Sequence, residues 1–114
     1  MNRYNLPCTE EQTEKAMQLG APIEESCGLR PATSIDGIIY DIPTAEQMIG
    51  WLEEQGILID IDTEWNKSVL VYVWNCENKS LINNVFHGSR KETIIAAIDA
   101  ALEYLMTKKI NNER

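Results

Sequence analysis

The sequence predicts an α+β domain of two layers, a three-stranded antiparallel sheet with helices on one face. Three observations lead there. Thr44-Ala45-Glu46-Gln47 and Ser89-Arg90-Lys91-Glu92 each spell a capping box, so two helix starts bracket the middle of the chain. Between them lie three strand-like runs, over residues 57–62, 68–74 and 81–87, with alternating or β-branched character. The links between these runs are short, which favours an antiparallel meander over a parallel sheet with crossovers. The core is therefore α-β-β-β-α over residues 44–108. An N-terminal helix and an irregular covering segment precede it over residues 1–43, and a polar tail follows over 109–114.

The first helix is predicted over residues 10–19, opened by Thr9-Glu10-Glu11-Gln12 and stopped at Gly20. Its only apolar residues are Ala16, Met17 and Leu19, too few for a wide stripe, so light packing is expected. Pro22, Gly28, Pro31 and Gly37 break regular structure in the stretch that follows. Within it, Ile38-Ile39-Tyr40-Asp41-Ile42 suits a fourth strand or a cover over one face of the sheet. The second helix spans about 45–55. Ala45, Met48, Ile49 and Leu52 share a face, Trp51 flanks them, and Gly56 ends the helix.

Ile57, Ile59 and Ile61 alternate with Leu58, Asp60 and Asp62, the pattern of a half-buried strand. Residues 68–74 are apolar on both faces and read as the central strand. Residues 81–87 read as an edge. Asn66-Lys67 and Asn78-Lys79 suit the turn tips. A link over 64–67 would pair Thr63 with Ser68. That register groups Leu70, Tyr72 and Trp74 with the three isoleucines against the helices. Asp60 and Asp62 then lie beside Val69 and Val71 on the other face. A slip of one residue reverses the faces of the central strand. The last helix, over 90–108, carries Ile94, Ile95, Ile98, Ala101, Leu102 and Leu105 as an apolar face.

The chain has 114 residues, enough for about one domain. Hydrophobic residues make up 44% and charged residues 25%, which suits a globular core and excludes a disordered tail. The formal net charge is −8, and residues 41–64 hold seven acids and no base. That balance argues against a nucleic-acid partner, whose affinity comes from Lys and Arg on phosphates. No apolar run is long enough to span a membrane, and Met1–Pro7 lacks the apolar stretch of a signal peptide. The three cysteines, Cys8, Cys27 and Cys76, are odd in number and show no C-x-x-C spacing, and His87 is the sole histidine. Free thiols in a cytoplasmic setting are therefore expected, with no metal site.

Candidate chemistry is sparse. Cys76 and His87 could suggest a nucleophile and base, yet strand spacing sets them far apart. Asp60, Asp62 and Glu64 share a strand face, but cation sites want more oxygens from a folded loop. Glycine-rich phosphate loops and the Gly-x-Ser-x-Gly elbow are absent. The expectation is thus no catalytic residue and no cofactor, in a protein-interaction module that binds a protein partner or a second copy. Trp65 is a candidate contact because it falls at a loop tip. Val69, Val71 and Val73 are candidates because two helices can cover only one face of the central strand.

Two resemblances bear on this reading. Ile42-Pro43-Thr44, Trp51-Leu52-Glu53-Glu54 and Ile57-Leu58-Ile59-Asp60-Ile61, with an Ala-rich helix before Leu102, resemble small proteins of phages and mobile elements in gut bacteria. The likeness covers about residues 42–106 and implies a phage or mobile-element setting without a known activity. Gly88-Ser89-Arg90-Lys91-Glu92, followed by Ile95-Ala96-Ala97 and Ala100-Ala101-Leu102, is similar to the last helix of the double-stranded RNA-binding domain. That family shares the α-β-β-β-α order, and the resemblance implies phosphate contacts from Lys67, Arg90 and Lys91. The chain departs from the family in three ways. Glu92 and Ile94 stand at basic positions, the first strand link reads Glu64-Trp65-Asn66-Lys67, and the preceding helix is acidic. A small hydrolase is a further alternative, which would need a cleft gathering His87 with a thiol or carboxylates.

Overall fold

Thr9 and Thr44 begin their helices by the same exchange of hydrogen bonds. Thr9 Oγ1 accepts from the Gln12 backbone N–H and Gln12 Oε1 accepts from that of Thr9, both at 3.0 Å. Thr44 and Gln47 repeat the exchange at 3.2 and 3.0 Å. These boxes open α1 (Glu10–Gln18) and α2 (Ala45–Glu54). Gly20 and Gly56 follow the helices at φ 94° and 86°, left-handed values that a side chain resists. The computed structural model describes residues 6–28, 30–63, 69–85 and 89–112.

The sheet is the predicted meander. β3 (Ile57–Thr63), β4 (Val69–Asn75) and β5 (Ser80–Val85) pair antiparallel in the order β3-β4-β5. Helices α2 and α3 (Arg90–Asn112) pack on one face of it. The buried core joins Met48 and Leu52 from α2 to Ile57, Ile59, Val71, Val73 and Val85 from the strands. Ile94, Ala97, Ile98, Ala101 and Leu102 complete it from α3. The class is α+β, as expected. Ser89 Oγ accepts from the Glu92 N–H at 3.1 Å at the start of α3. At its other end α3 continues through 109–112, residues expected as a polar tail. Lys109 Nζ donates to the Gln18 carbonyl at 2.9 Å there, tying the extension to the end of α1.

The register corrects the expectation by one residue. Thr63 pairs with Val69 rather than Ser68, so Ile59 stands opposite Val73 and Ile61 opposite Val71. Val71 and Val73 therefore face the helices, and Leu70, Tyr72 and Trp74 face away. The physical reason lies in α3. It packs on β4 and β5 and brings Ala97 and Ala101, both fully buried, into the same core as these strands, and small residues of this kind let a helix come close to its neighbours. Valine fits under such a helix, whereas Tyr or Trp would force it off the sheet.

Residues 1–43 were expected as a helix and an irregular cover, and here too the structure is more regular. β1 (Ala32–Ile35) and β2 (Ile38–Asp41) form a hairpin in a sheet of their own. Asp36 and Gly37 turn it with φ of 52° and 84°, the two positive values that a type I′ turn requires. Ile38–Asp41 is thus a strand, paired with β1 instead of lying across β4. The other edge of β2 takes residues 24–26, through Ser26 N–H to Ile39 O and Asp41 N–H to Glu24 O, both 2.8 Å. α1 is not lightly packed. Gln12, Thr13 and Ala16 are fully buried, and Gln12 Nε2 donates to Ile95 O and Asp99 Oδ1, both at 2.8 Å. A helix with few apolar residues docks here because its buried amide is satisfied.

Candidate functional site

Alternation along β3 and β4 sends Leu58, Asp60, Asp62, Leu70, Tyr72 and Trp74 to the face opposite the helices. Leu58 stands opposite Trp74, Asp60 opposite Tyr72 and Asp62 opposite Leu70. On the far side of β4, the register shifts between Val73 and Trp74. This irregularity sets Leu81 opposite Trp74, while Ile82 packs towards the core. The outer face therefore gathers an apolar group from all three strands. Leu58 is 38% exposed and Leu81 46%, and Leu70, Tyr72 and Trp74 are half-buried. The Tyr72 and Trp74 rings lie 6.3 Å apart between centroids, tilted by 33°.

Along the β3 side of this group run Asp60 and Asp62, both exposed. Among the described residues neither carboxylate is in an ion pair; the ion pairs there are Lys15–Glu103 and Lys108–Glu77. Among the described residues, both helices that pack on the sheet lie on its other face. The site is an apolar and aromatic centre with a negative border. It offers contact area and charge.

The structure separates the residues expected at this site. Val71 and Val73 are fully buried and are part of the core, a correction that follows from the one-residue shift in register. Val69 begins β4. Trp65 and Lys67 lie outside the described residues, as does His87. Arg90 and Lys91 stand together in the first turn of α3, with Glu92 beside them. The outer residues Leu58, Leu70, Tyr72, Trp74 and Leu81 were not expected as contacts. For Leu70, Tyr72 and Trp74 the signal is the same alternation read one residue out of step, whereas Leu81 is set by the register shift beside Trp74.

All three cysteines are unpaired. Cys8 is buried, and its thiol is pushed up to about 12, chiefly by burial and then by the carboxylate of Asp99. Such a thiol is a poor nucleophile. Cys27 and Cys76 are exposed. Among the described residues no group of three or more His, Cys, Asp or Glu side chains is placed to hold a metal ion. No helix among them is long and apolar enough to cross a membrane.

Comparison with protein families, with curated proteins and with solved structures finds no match for this chain.

Proposed function

We propose that the protein is a non-catalytic interaction module that binds a protein partner through the open face of the β3-β4-β5 sheet. The observation that carries this reading is the group of Leu58, Leu70, Tyr72, Trp74 and Leu81, over which no helix packs among the described residues. Aromatic side chains in such a group are the usual anchors of protein interfaces. Asp60 and Asp62 select the partner's chemistry: an apolar surface bordered by Lys or Arg on the side that meets β3. The net charge of −8 works in the same direction and against a second copy, which would bring the same charge. A phage or mobile-element setting in the cytoplasm, where thiols stay reduced, belongs to the same proposal.

Affinity capture from the host with the full chain tests it. Trp74→Ser with Tyr72→Ser, and separately Asp60→Lys with Asp62→Lys, should each release a protein that the parent chain retains. Circular dichroism must show both variants folded. A retained protein indifferent to both variants would refute the assignment of the face. A dimer in light scattering that Trp74→Ser dissolves would move the assignment to self-association.

Nucleic acid is the second reading, favoured by the order α2-β3-β4-β5-α3 and by the neighbouring Arg90 and Lys91. Against it stands the excess of acids, Glu92 included. Salt-sensitive binding of duplex RNA that Arg90→Glu with Lys91→Glu abolishes would favour it over the protein partner.

A further inference from the structure

The three-stranded sheet has two edges, and they differ. β3 pairs with β4 over seven residues, from Ile57 with Asn75 to Thr63 with Val69, without a break in register. β5, the other edge, carries the register shift beside Trp74, and an irregularity of this kind blunts an edge. Along any edge strand, alternate residues turn their backbone N–H and C=O groups away from the neighbour. Among the described residues, no hydrogen bond reaches the β3 backbone except those of its ladder with β4. The hairpin of β1 and β2 forms a sheet of its own and does not extend this edge. The two charges of β3, Asp60 and Asp62, are exposed and in no ion pair among the described residues. Their partners across the ladder are Tyr72 and Leu70, so a counter-charge beside them has to come from the open side of β3.

We propose that β3 takes an extended segment of the partner protein as a fourth, antiparallel strand, with Lys or Arg at the two alternate positions opposite Asp60 and Asp62. The proposal rests on the reading of this sheet as a protein-binding surface and adds how the partner is held. Main-chain hydrogen bonds supply affinity, and the cross-strand charge pairs supply register. Residues between the basic ones fall on the inner face beside Ile59 and Ile61, where the half-buried Ile61 gains cover. A second copy suits this edge poorly. Pairing β3 with itself about Ile61 sets Asp60 against Asp62 twice, and like charges directly opposite are unfavourable.

NMR titration of the full chain with a capped peptide, Thr-Lys-Val-Lys-Val-Leu-Thr, tests this. Read antiparallel, the peptide sets its two Lys opposite Asp62 and Asp60 and its Leu opposite Leu58. It should bind with Kd of about 1 mM, shift the β3 amides, slow their exchange with solvent and leave β5 unmoved. Backbone N-methylation of one alternate set of peptide residues should abolish binding, and of the other set should spare it, since a paired strand turns only alternate N–H groups to its neighbour. Asp60→Lys with Asp62→Lys, folded by circular dichroism, should weaken this peptide by about tenfold or more and favour the version with Glu in place of Lys. No shift at about 10 mM peptide, shifts in β5 instead of β3, or equal effects of the two methylated sets would overturn the fourth strand. So would β3 amides whose exchange slows as the chain alone is concentrated, which would give the edge to a second copy. The reading of the sheet as a protein-binding surface fails separately, when a captured host protein is indifferent to the variants given above.

Discussion

The two faces of β4 differ in the opposite sense to a hydrophobicity scale. Val71 and Val73 are fully buried, while the larger Leu70, Tyr72 and Trp74 that alternate with them stay half-buried on the other side. The inner face is limited by what lies above it. Ala97 and Ala101 share the buried core with Val71 and Val73, and β-branched side chains suit the space that packed α2 and α3 leave over the strands. Among the described residues the outer face has no helix packed on it, so size is less restricted there. The difference teaches that room under the helix, more than apolarity, decides which side of a doubly apolar strand becomes core. It also teaches that the bulkier side chains are left free to do something besides hold the fold.

The largest expected effect tests that contrast directly. Val71→Asp places an unpaired carboxylate in the core, a cost of several kcal/mol, on the order of the whole stability of a small domain. Its thermal melt by circular dichroism should be flat or shifted far down. Tyr72→Asp, one residue along, should change stability by about 1 kcal/mol or less. Similar melts for the two variants would break the comparison. Ala101→Leu tests the size limit itself. Overpacking there should cost about 1–3 kcal/mol by denaturant titration, although leucine is the more apolar residue. A stabilised Ala101→Leu would show that α3 has room to spare.

Much of this architecture is legible in the residues because it is local. Thr9 with Gln12 and Thr44 with Gln47 spell their caps within four residues, and the structure forms both boxes. The face of β4 is not legible, because Val71-Val73 and Leu70-Tyr72-Trp74 alternate equally well in either register. Which set is core depends on whether Thr63 meets residue 68 or Val69, and that depends on one residue of link. Asp36-Gly37 is a strong hairpin signal, yet it sits among prolines and glycines that read equally as irregular chain. The docking of α1 is hidden for a different reason. It rests on Gln12 reaching Ile95 and Asp99, a contact that no hydrophobic pattern records. The open face of the sheet inherits the ambiguity of the register, so its contact residues could be placed only once the pairing was known.

A smaller effect separates stability from binding on the outer face. Trp74→Ser removes the ring contact with Tyr72 and some half-buried surface, together worth about 1 kcal/mol. The variant should melt close to the parent chain, yet lose the captured partner. A loss of stability comparable to that of Val71→Asp would mean that Trp74 belongs to the core after all, and the two faces would no longer differ in kind.

The smallest effect carries the same contrast of inside and outside to the thiols. Cys8 is buried and its pKa is raised from 9.0 to about 12, whereas Cys27 and Cys76 are exposed. A disulfide reagent at neutral pH should therefore modify Cys27 and Cys76 at once and Cys8 only when the chain opens. The linked effect on stability has a definite sign. Well below pH 9.0 the Cys8 thiol is protonated in both states and contributes no pH dependence. Above that value the unfolded chain loses the proton while the folded chain keeps it up to about 12, so unfolding becomes more favourable as pH rises. Half a pH unit past the ordinary thiol value, the loss should be just under about 1 kcal/mol. Cys8→Ala lacks the titrating group, so the difference between the parent chain and Cys8→Ala isolates the term from lysines and tyrosines that titrate nearby. A pH-independent difference between the two chains from pH 8 to about pH 10, or immediate modification of all three thiols in the folded state, would place Cys8 outside the core.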